Sequence, residues 1–262
     1  MNSCIDRRMF ILKKLEKDEQ VNVSELSHQF NVSEVTIRKD LSHLEKKNIL
    51  IRSRGGAMKQ TLIDTDLSIF DRRKQNIRQK EAIGIAAARL IQEGETVLLD
   101  TGTTVMELAK HLPKKIDVTI VTNSVDITFR LADYPNIRVM MPGGILRRNS
   151  LALVGEQAAE TLSKYYCDKY FLSADGVDVQ LGLMTMNIEE APLARMNVQN
   201  SKKVIALIDS SKFHDRGMMI IAALSEVDLL VTDSDISDHT LQTLKTMGVN
   251  VLVANLVQDQ KK

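Results

Sequence analysis

Residues 31–48 read NVSEVTIRKDLSHLEKKN, and this stretch decides what kind of domain begins the chain. Its apolar side chains recur at helical spacing and form one narrow stripe, made of Ile37, Leu41 and Leu44. Ser33 stands where a helix N-cap is favoured, with Thr36 at the third helical position. The stretch therefore predicts a helix, running to about residue 47, that buries a thin stripe and exposes a polar surface.

Two shorter helices are expected before this helix and a β-turn after it. Residues 5–17 carry apolar side chains at helical spacing, and SELSHQF at 24–30 gives a second helix before the turn NVS. After the main helix, ILIRSRGGAM at 49–58 predicts a strand that reaches a Gly-Gly turn. Helices joined by a tight turn and followed by a strand with a glycine tip are typical of a winged helix-turn-helix.

The exposed face of the main helix suits the major groove of DNA. Short or donor-bearing side chains near its N-terminus fit base edges, and Lys and Arg further out fit phosphates. The first 60 residues carry 12 Lys and Arg against 8 Asp and Glu, whereas the rest of the chain is net negative. This charge distribution favours an anionic partner for the N-terminal domain. The alternative is an ordinary three-helix unit with a solvated basic face. The candidate DNA-binding residues are Ser33, Val35, Thr36, Arg38, Lys39, His43, Arg52 and Arg54.

Length and composition limit the class of protein. With 262 residues, 44% of them hydrophobic, the chain is long enough for two globular domains. No apolar run reaches the roughly 20 residues of a membrane helix, and the first residues lack the apolar segment of a signal peptide. Cys4 and Cys167 give neither a disulfide framework nor zinc spacing. We therefore expect a cytoplasmic protein with no metal site, no cofactor and no membrane partner.

From residue 95 onward, short Val/Ile/Leu-rich runs alternate with helical stretches. The runs are TVLLD, VTIVTN, IRVMMPGG, KYFLSADG, KVIALID, DLLVTD and VNVLVAN. This alternation predicts an α/β domain with a largely parallel sheet and helices on both faces. The predicted organisation is a winged helix-turn-helix domain at 1–58, a linker and the start of a connecting helix at 59–80, and the α/β domain at 81–257.

The loop DTGTT at 100–104 joins a predicted strand to a predicted helix. Gly allows close backbone approach, and the Thr hydroxyls with the first N–H groups of the helix suit a phosphate. Such a loop lies at the carboxyl end of a strand, where open α/β sheets bind ligands. Turn chemistry alone is the alternative, since neither a Walker motif nor GxGxxG occurs. Donors and carboxylates at five strand ends favour a small phosphorylated polyol. The candidate ligand residues are Asp100, Thr101, Gly102, Thr103, Thr104, Asn123, Gly143, Gly144, Arg147, Asp175, Glu190 and Lys212.

These motifs together resemble the DeoR family of bacterial transcriptional regulators. In the first domain the resemblance rests on Arg7, Ile11, Leu15, the motif SxxTIRKDL at 33–41 and LEKKNILIRSRGGA. The family usually has Gly where this chain has Asn48, a residue that also takes the left-handed backbone conformation. In the second domain DTGTT, TNS, GGxxR, DG, EEA and DSSKF occur in the family's order.

The resemblance implies a second domain like ribose-5-phosphate isomerase and CoA transferases, with a phosphorylated sugar or alditol as effector. It implies that TGTT holds the phosphate and that Arg147 and Lys212 are basic contacts. The family often has Lys where this chain has Ala194, a difference that bears on ligand preference or oligomer contacts. The implied function is repression of a carbohydrate-catabolism operon by a homodimer or homotetramer on double-stranded operator DNA, with release by the effector. The alternative is that the protein activates transcription when the effector is bound.

A sugar-phosphate isomerase is the competing interpretation. Enediolate chemistry needs a general base and a cation that stabilises the oxyanion. Asp175, Asp178 and Glu190 are candidate bases, but QLGLMTMNIEE at 180–190 holds no Lys where the isomerases carry one. We therefore expect no catalytic residue, and a pocket that serves as a sensor.

Overall fold

The computed structural model divides the chain into two units, residues 1–65 and 66–262. The structure describes residues 4–18, 20–45, 50–53, 55–59 and 67–256, so the candidate Arg54 and the family-pattern residue Asn48 lie outside the described residues. No helix within these ranges is long and apolar enough to cross a membrane.

The described part of the first unit contains three helices and a three-stranded antiparallel sheet. Its elements are α1 (Cys4–Asp18), β1 (Gln20–Asn22), α2 (Val23–Phe30), α3 (Glu34–Glu45), β2 (Leu50–Ser53) and β3 (Gly56–Lys59). Strand β3 pairs with β2 as the predicted wing hairpin and with β1 on its other side. A Cβ at Gly56 would lie 2.0 Å from the Val21 carbonyl oxygen, so this close approach of the two strands requires glycine.

The first unit packs around the predicted apolar stripe. Ile37 and Leu41 are fully buried and Leu44 nearly so, and they join residues of α1 and α2 in one core. Asn31 has φ +49° and ends α2, which makes the tight turn before α3. Helix α3 begins directly after the predicted cap Ser33, while its predicted end at residue 47 lies outside the described residues.

The second unit adds α4 (Ile69–Arg72), a helical turn within the predicted linker, where no element was expected before the connecting helix α5 (Ile77–Ala88). The following elements are β4 (Thr96–Leu99), α6 (Thr103–Lys110), β5 (Val118–Val121), α7 (Val125–Leu131), β6 (Ile137–Met140), β7 (Ile145–Arg147), β8 (Ala152–Val154), α8 (Glu156–Leu162), β9 (Lys169–Leu172), β10 (Gly176–Asp178), β11 (Gly182–Thr185), α9 (Ala191–Gln199), β12 (Val204–Leu207), β13 (Met219–Ala222), β14 (Leu229–Asp233), α10 (Asp238–Thr246) and β15 (Val251–Ala254).

In the described part of the second unit, seven parallel strands form the central sheet, in the order β15-β14-β12-β9-β4-β5-β6. They are the seven runs that the sequence predicted. Val97 and Leu99 belong to one apolar layer, which α5, α6 and α7 cover. Leu98 belongs to the opposite layer, which α8, α9 and α10 cover. Because both faces are buried, the strands are continuously apolar rather than alternating.

The direction of the chain connections reverses at β4. From β4 the chain continues to β5 and β6 on one side, then returns to β9 on the other side and continues to β15. The carboxyl ends of β4 and β9 therefore border a crevice, the position at which doubly wound sheets bind ligands. The antiparallel hairpin β7–β8 and the small sheet β10-β11-β13 were not predicted from the sequence.

Candidate functional site

The face of α3 that points away from the core is polar and open. Val35 is 57% exposed, and Arg38 and Lys39 are exposed beside it, whereas Thr36 and His43 are half-buried. A shallow depression along this face is lined by Arg8, Val35, Arg38, Lys39, Ser42 and His43. Four of the predicted DNA-binding residues thus share one surface.

The first turn of α3 is organised by two hydroxyl groups. Ser33 Oγ accepts a hydrogen bond from the Thr36 backbone N–H at 3.3 Å, and the two side-chain oxygens lie 2.9 Å apart. Ser33 therefore acts as the predicted N-cap. Its hydroxyl and that of Thr36 are hydrogen-bonded to each other, so both stabilise the first turn of α3 before any ligand is bound.

Arg38 on α3 and Arg52 on the wing strand β2 make local contacts with side chains of α3. Arg38 Nη2 lies 2.6 Å from Glu34 Oε2 in an exposed pair one helical turn apart. Arg52 on β2 donates to Ser42 Oγ at 3.1 Å, which brings the wing strand against α3. Exposed pairs of this kind contribute little to stability, so both cations can exchange their partners for phosphate oxygens at small cost.

Asp40 fixes α3 to α1, a role that the sequence did not reveal. Its carboxylate is 2% exposed and accepts from Arg7 Nε at 2.5 Å and from Arg8 Nε at 2.8 Å, with the Cys4 thiol at 3.2 Å. Burial raises the pKa of Asp40, but the hydrogen bonds from Arg7, Cys4 and Arg8 outweigh it and hold the pKa below its usual value.

A polar cavity opens in the second unit where β4 and β9 end. Its walls come from both strand ends, from β11, β13 and α9, and from the segment that precedes α5. The lining residues are Arg72, Asp100, Thr101, Ser173, Ala174, Asp175, Thr185, Glu190, Ala194 and Ile221. Of the predicted ligand residues, the cavity unites Asp100, Thr101, Asp175 and Glu190.

The TGTT loop needs its glycine and leads into a helix without a side-chain cap. Gly102 has φ +140°, and a Cβ there would lie 2.3 Å from Ser173 Oγ, so the loop after β4 contacts the loop after β9 closely. Helix α6 starts at Thr103, and Gly102 provides no capping side chain. Its first N–H groups have no partner within the helix, and the buried Thr103 and Thr104 add hydroxyls at the same place.

Three carboxylates face the cavity in different electrostatic states. Burial raises the pKa of Asp100 to about 7, although the Tyr170 hydroxyl, 2.9 Å away, opposes the shift. Burial also raises the pKa of Glu190, against the hydrogen bond from Ser150 and the charge of Arg147. For Asp175, burial raises the pKa, but Arg72 and the bonds from Met186 N–H and Thr185 outweigh it and keep the pKa below its usual value.

Arg147, a predicted ligand residue, contacts the cavity-lining Glu190 but does not itself line the cavity. Its Nη1 lies 3.2 Å from Glu190 Oε1 and 3.2 Å from Ser150 Oγ, so hairpin β7–β8 is tied to the start of α9. Ala194, at the position where a Lys is frequent in the resembled family, lies one turn beyond Glu190 and lines the cavity. Having Ala in place of Lys at this position therefore changes a side chain that lines the cavity.

Other predicted residues lie near the cavity without lining it. The Asn123 amide donates to the Leu153 carbonyl oxygen at 3.2 Å, which anchors hairpin β7–β8. Gly144 has φ +135°, and a Cβ there would lie 2.7 Å from the Val154 carbonyl oxygen; with Gly143 it leads the chain into β7. Lys212, in the 3₁₀ turn Ser210–His214, lies 3.9 Å from Asp215, and its charge also lowers the pKa of Asp175.

Two basic residues before β4 belong to this region and were not predicted. Arg72 Nη1 lies 3.1 Å from Asp175 Oδ1 inside the cavity wall. Lys80 is buried, and its ammonium donates to the carbonyl oxygens of Arg72 at 2.7 Å and Gln75 at 2.9 Å. Burial lowers the pKa of Lys80 to about 8. The crowding of basic residues between 72 and 80 was the available signal.

Comparison with known proteins gives matches over both units. The DeoR-like helix-turn-helix domain matches residues 7–61, and the DeoR C terminal sensor domain matches residues 75–234. The transcriptional repressor GlcR of Bacillus subtilis (strain 168) is 35% identical over 98% of this chain and 98% of its own. The regulator YulB of the same organism is 36% identical over 96% and 97%. Ribose 5-phosphate isomerase A of Methanocaldococcus jannaschii is 18% identical, covers 53% of this chain and 55% of its own, and has a TM-score of 0.39.

A winged helix-turn-helix unit on the same chain as an α/β sensor unit defines a DNA-binding transcriptional regulator. The chain belongs to the DeoR family, because both family domains match in order and the relatives are similar along nearly their full length. This confirms the predicted family and the predicted fold class. The family consists of transcriptional regulators rather than enzymes.

Proposed function

We propose that this protein represses a carbohydrate-catabolism operon and that a phosphorylated sugar or alditol releases it from its operator. The observation that carries the proposal is the cavity at the reversal point of the sheet, where carboxylates, an arginine and an uncapped helix start lie together. Carboxylates accept hydrogen bonds from sugar hydroxyls, and the free N–H groups of a helix N-terminus bind a phosphate. GlcR, which matches over the full chain, is a repressor.

On the DNA, the residues of α3 and the wing divide into two roles. Val35 and Lys39 project from the exposed face and read base edges, with Thr36 and His43 at its sides. Arg38 and Arg52 bind backbone phosphates after leaving Glu34 and Ser42. Ser33 positions the helix as its cap and does not contact a base.

In the cavity, the phosphate lies at the start of α6, and the polyol extends toward the ends of β9 and α9. Gly102, Thr103 and Thr104 hold the phosphate, and Lys212 and Arg147 add positive charge. Asp100, Asp175 and Glu190 accept hydrogen bonds from sugar hydroxyls. The raised pKa of Asp100, about 7, lets this carboxyl group donate as well as accept near neutral pH.

The regulatory mechanism requires more than one chain. Palindromic half-sites are read by paired domains, so the protein acts as a homodimer or homotetramer in the cytoplasm. Both Cys4 and Cys167 are free thiols, which fits a reducing compartment. The effector favours one arrangement of the oligomer by its differential affinity, typically about 1–3 kcal/mol of coupling.

A thermal-shift screen tests the proposal. Ribose 5-phosphate, glucose 6-phosphate, fructose 1-phosphate and galactitol 1-phosphate are compared with their unphosphorylated forms and with inorganic phosphate. Stabilisation by at least one phosphorylated compound, and not by its parent, is expected. Stabilisation by none of them would contradict the sensor function, and turnover of a bound compound would favour the isomerase. Release of operator DNA distinguishes a repressor from an activator, for which the same compound would strengthen DNA binding.

A further inference from the structure

The segment of residues 68–76, here called the strap, crosses the carboxyl edge of the sheet above the cavity. Arg73 pairs with Asp126 after β5, Arg72 pairs with Asp175 after β9, and Asn76 donates to Asp209 after β12 at 3.0 Å. In the sheet, β12, β9, β4 and β5 are consecutive neighbours. The strap therefore spans the reversal point at which the chain connections diverge.

The strap is held mainly by polar contacts at its ends and in its middle. The Ile69 N–H donates to the Asn149 carbonyl oxygen at 2.6 Å, and the Ile69 side chain is its buried apolar anchor. The Lys80 ammonium binds the carbonyl oxygens of Arg72 and Gln75. These contacts fix the backbone around Arg72 and direct its side chain into the cavity wall.

The guanidinium of Arg72 is incompletely satisfied. Nη1 donates to Asp175 Oδ1 at 3.1 Å, but Nε is buried and has no hydrogen-bond partner among the described residues. A buried donor without an acceptor costs about 1–3 kcal/mol, and more when the group is charged. The cavity wall also holds three carboxylates, Asp100, Asp175 and Glu190, and three hydroxyl side chains. Of these hydroxyls, Thr185 already donates to Asp175, and Ser173 donates to the Thr101 carbonyl oxygen.

We propose that Arg72 binds the effector directly, donating from its guanidinium group to a hydroxyl or carbonyl oxygen of the sugar, and that this contact makes the strap part of the effector site. The inference rests on the proposed function. A polyol that donates to the carboxylates also needs donors for its own oxygens, and the Arg72 guanidinium supplies a charged one. It is thus a specificity-determining residue of the cavity.

The position of the strap in the chain gives this contact a regulatory consequence. Within the second unit it is the first described segment, preceding α5 and the whole sheet. An effector that binds Arg72 fixes the strap against the ends of β9 and β4. Effector occupancy thereby reaches the part of the chain that leads, in sequence, to the DNA-binding unit.

Three variants test the proposal in the full-length protein. Arg72→Ala removes the donor, Arg72→Lys keeps the charge beside Asp175 but lacks Nε–H, and Lys74→Ala is the matched control. Lys74 lies on the same strap, its side chain is 76% exposed, and it pairs with the exposed Asp71 one helical turn away. The probes are ribose 5-phosphate, glucose 6-phosphate, fructose 1-phosphate and galactitol 1-phosphate, each titrated by calorimetry.

For the probe that the wild type binds, R72A should weaken affinity by about 10- to 100-fold, the range for a hydrogen bond from a charged donor. R72K should fall between R72A and the wild type, and K74A should match the wild type. At probe concentrations that saturate R72A, release of operator DNA should still be smaller than for the wild type.

Two failures are distinguishable. If R72A binds the probe as tightly as the wild type or more tightly, Arg72 is not an effector contact, although the proposed function stands. If the wild type binds none of the four probes, the proposed function fails and this inference fails with it. Circular dichroism of unliganded R72A separates lost binding from lost folding, and R72K carries the test if R72A does not fold.

Discussion

Tyr170 on β9 donates a 2.9 Å hydrogen bond to Asp100 at the carboxyl end of β4. This bond joins the two strands at which the sheet connections reverse, and it lies below the cavity. Tyr170 is fully buried, so its hydroxyl has a structural reason to be paired. The same bond opposes the effect of burial, which raises the pKa of this carboxyl group in the cavity.

The raised pKa of Asp100 predicts a pH dependence of stability. Because its folded pKa of about 7 exceeds the unfolded value of about 3.9, the folded state binds more protons between these two values. The Asp100 contribution to stability is therefore present at low pH and is lost as pH rises through 7. Asp100→Asn should remove this dependence. Urea unfolding at pH 5 and pH 7.5 should show a smaller difference for D100N than for the wild type, and an equal difference would refute the assignment.

Replacing Asp40 should destabilise the first unit strongly. Asp40→Ala leaves Arg7, which is 7% exposed, without its partner, and breaking a buried pair costs about 3–5 kcal/mol. Glu34→Ala, which removes an exposed partner of Arg38, is the control and should change stability by less than about 1 kcal/mol. Urea unfolding followed by circular dichroism measures both. A D40A effect no larger than that of E34A would show that α1 and α3 do not depend on this pair.

Gly102→Ala should impair the sensor site through both backbone strain and a clash. Its φ of +140° and the 2.3 Å approach to Ser173 Oγ leave no room for a methyl group, and positive-φ strain alone costs about 1–3 kcal/mol. Gly94→Ala separates the two effects, since Gly94 has φ +80° and open space around it. Sugar-phosphate affinity should fall in G102A and not in G94A. Equal affinities in both variants would remove the loop from the site.

Arg38 and Lys39 should contribute to the salt dependence of operator binding. Removing one phosphate contact lowers the slope of log K against log salt by about 1. Arg38→Ala is expected to show this change, whereas Lys39→Ala should mainly alter sequence preference, because Lys39 is assigned to a base edge. Lys202→Ala, an exposed cation of the second unit, is the control. Slopes and affinities unchanged in R38A and K39A would contradict the assignment of α3 to the groove.

The sequence predicted the central sheet because most of its strands are apolar on both faces. Such runs are recognisable without knowing their partners, as Val97, Leu98 and Leu99 show. The hairpin β7–β8 and the sheet β10-β11-β13 escaped prediction because several of their strands lack a continuous apolar run, as ILR in β7, GVD in β10 and GLMT in β11 show.

Cavity residues could be predicted where a polar side chain follows a strand of the parallel sheet, because the carboxyl ends of such strands lie at one edge. Asp100 and Thr101 directly follow β4, Asp175 lies three residues after the end of β9, and the cavity unites them. Arg72 and Asp40 were missed for a different reason: their partners lie 103 and 33 residues away in the sequence. The local sequence pattern does not distinguish such paired residues from charged residues that face solvent.

We propose that a phosphorylated sugar in this cavity controls DNA binding by this chain. The most direct measurement is fluorescence anisotropy of labelled DNA from upstream of its own gene, titrated with the sugar phosphate that stabilises the protein most. Wild-type protein should release the DNA as the compound is added, whereas Asp175→Ala should bind the DNA and retain it. Retention of the DNA by the wild type at saturating compound, or equal release by D175A, would contradict the account.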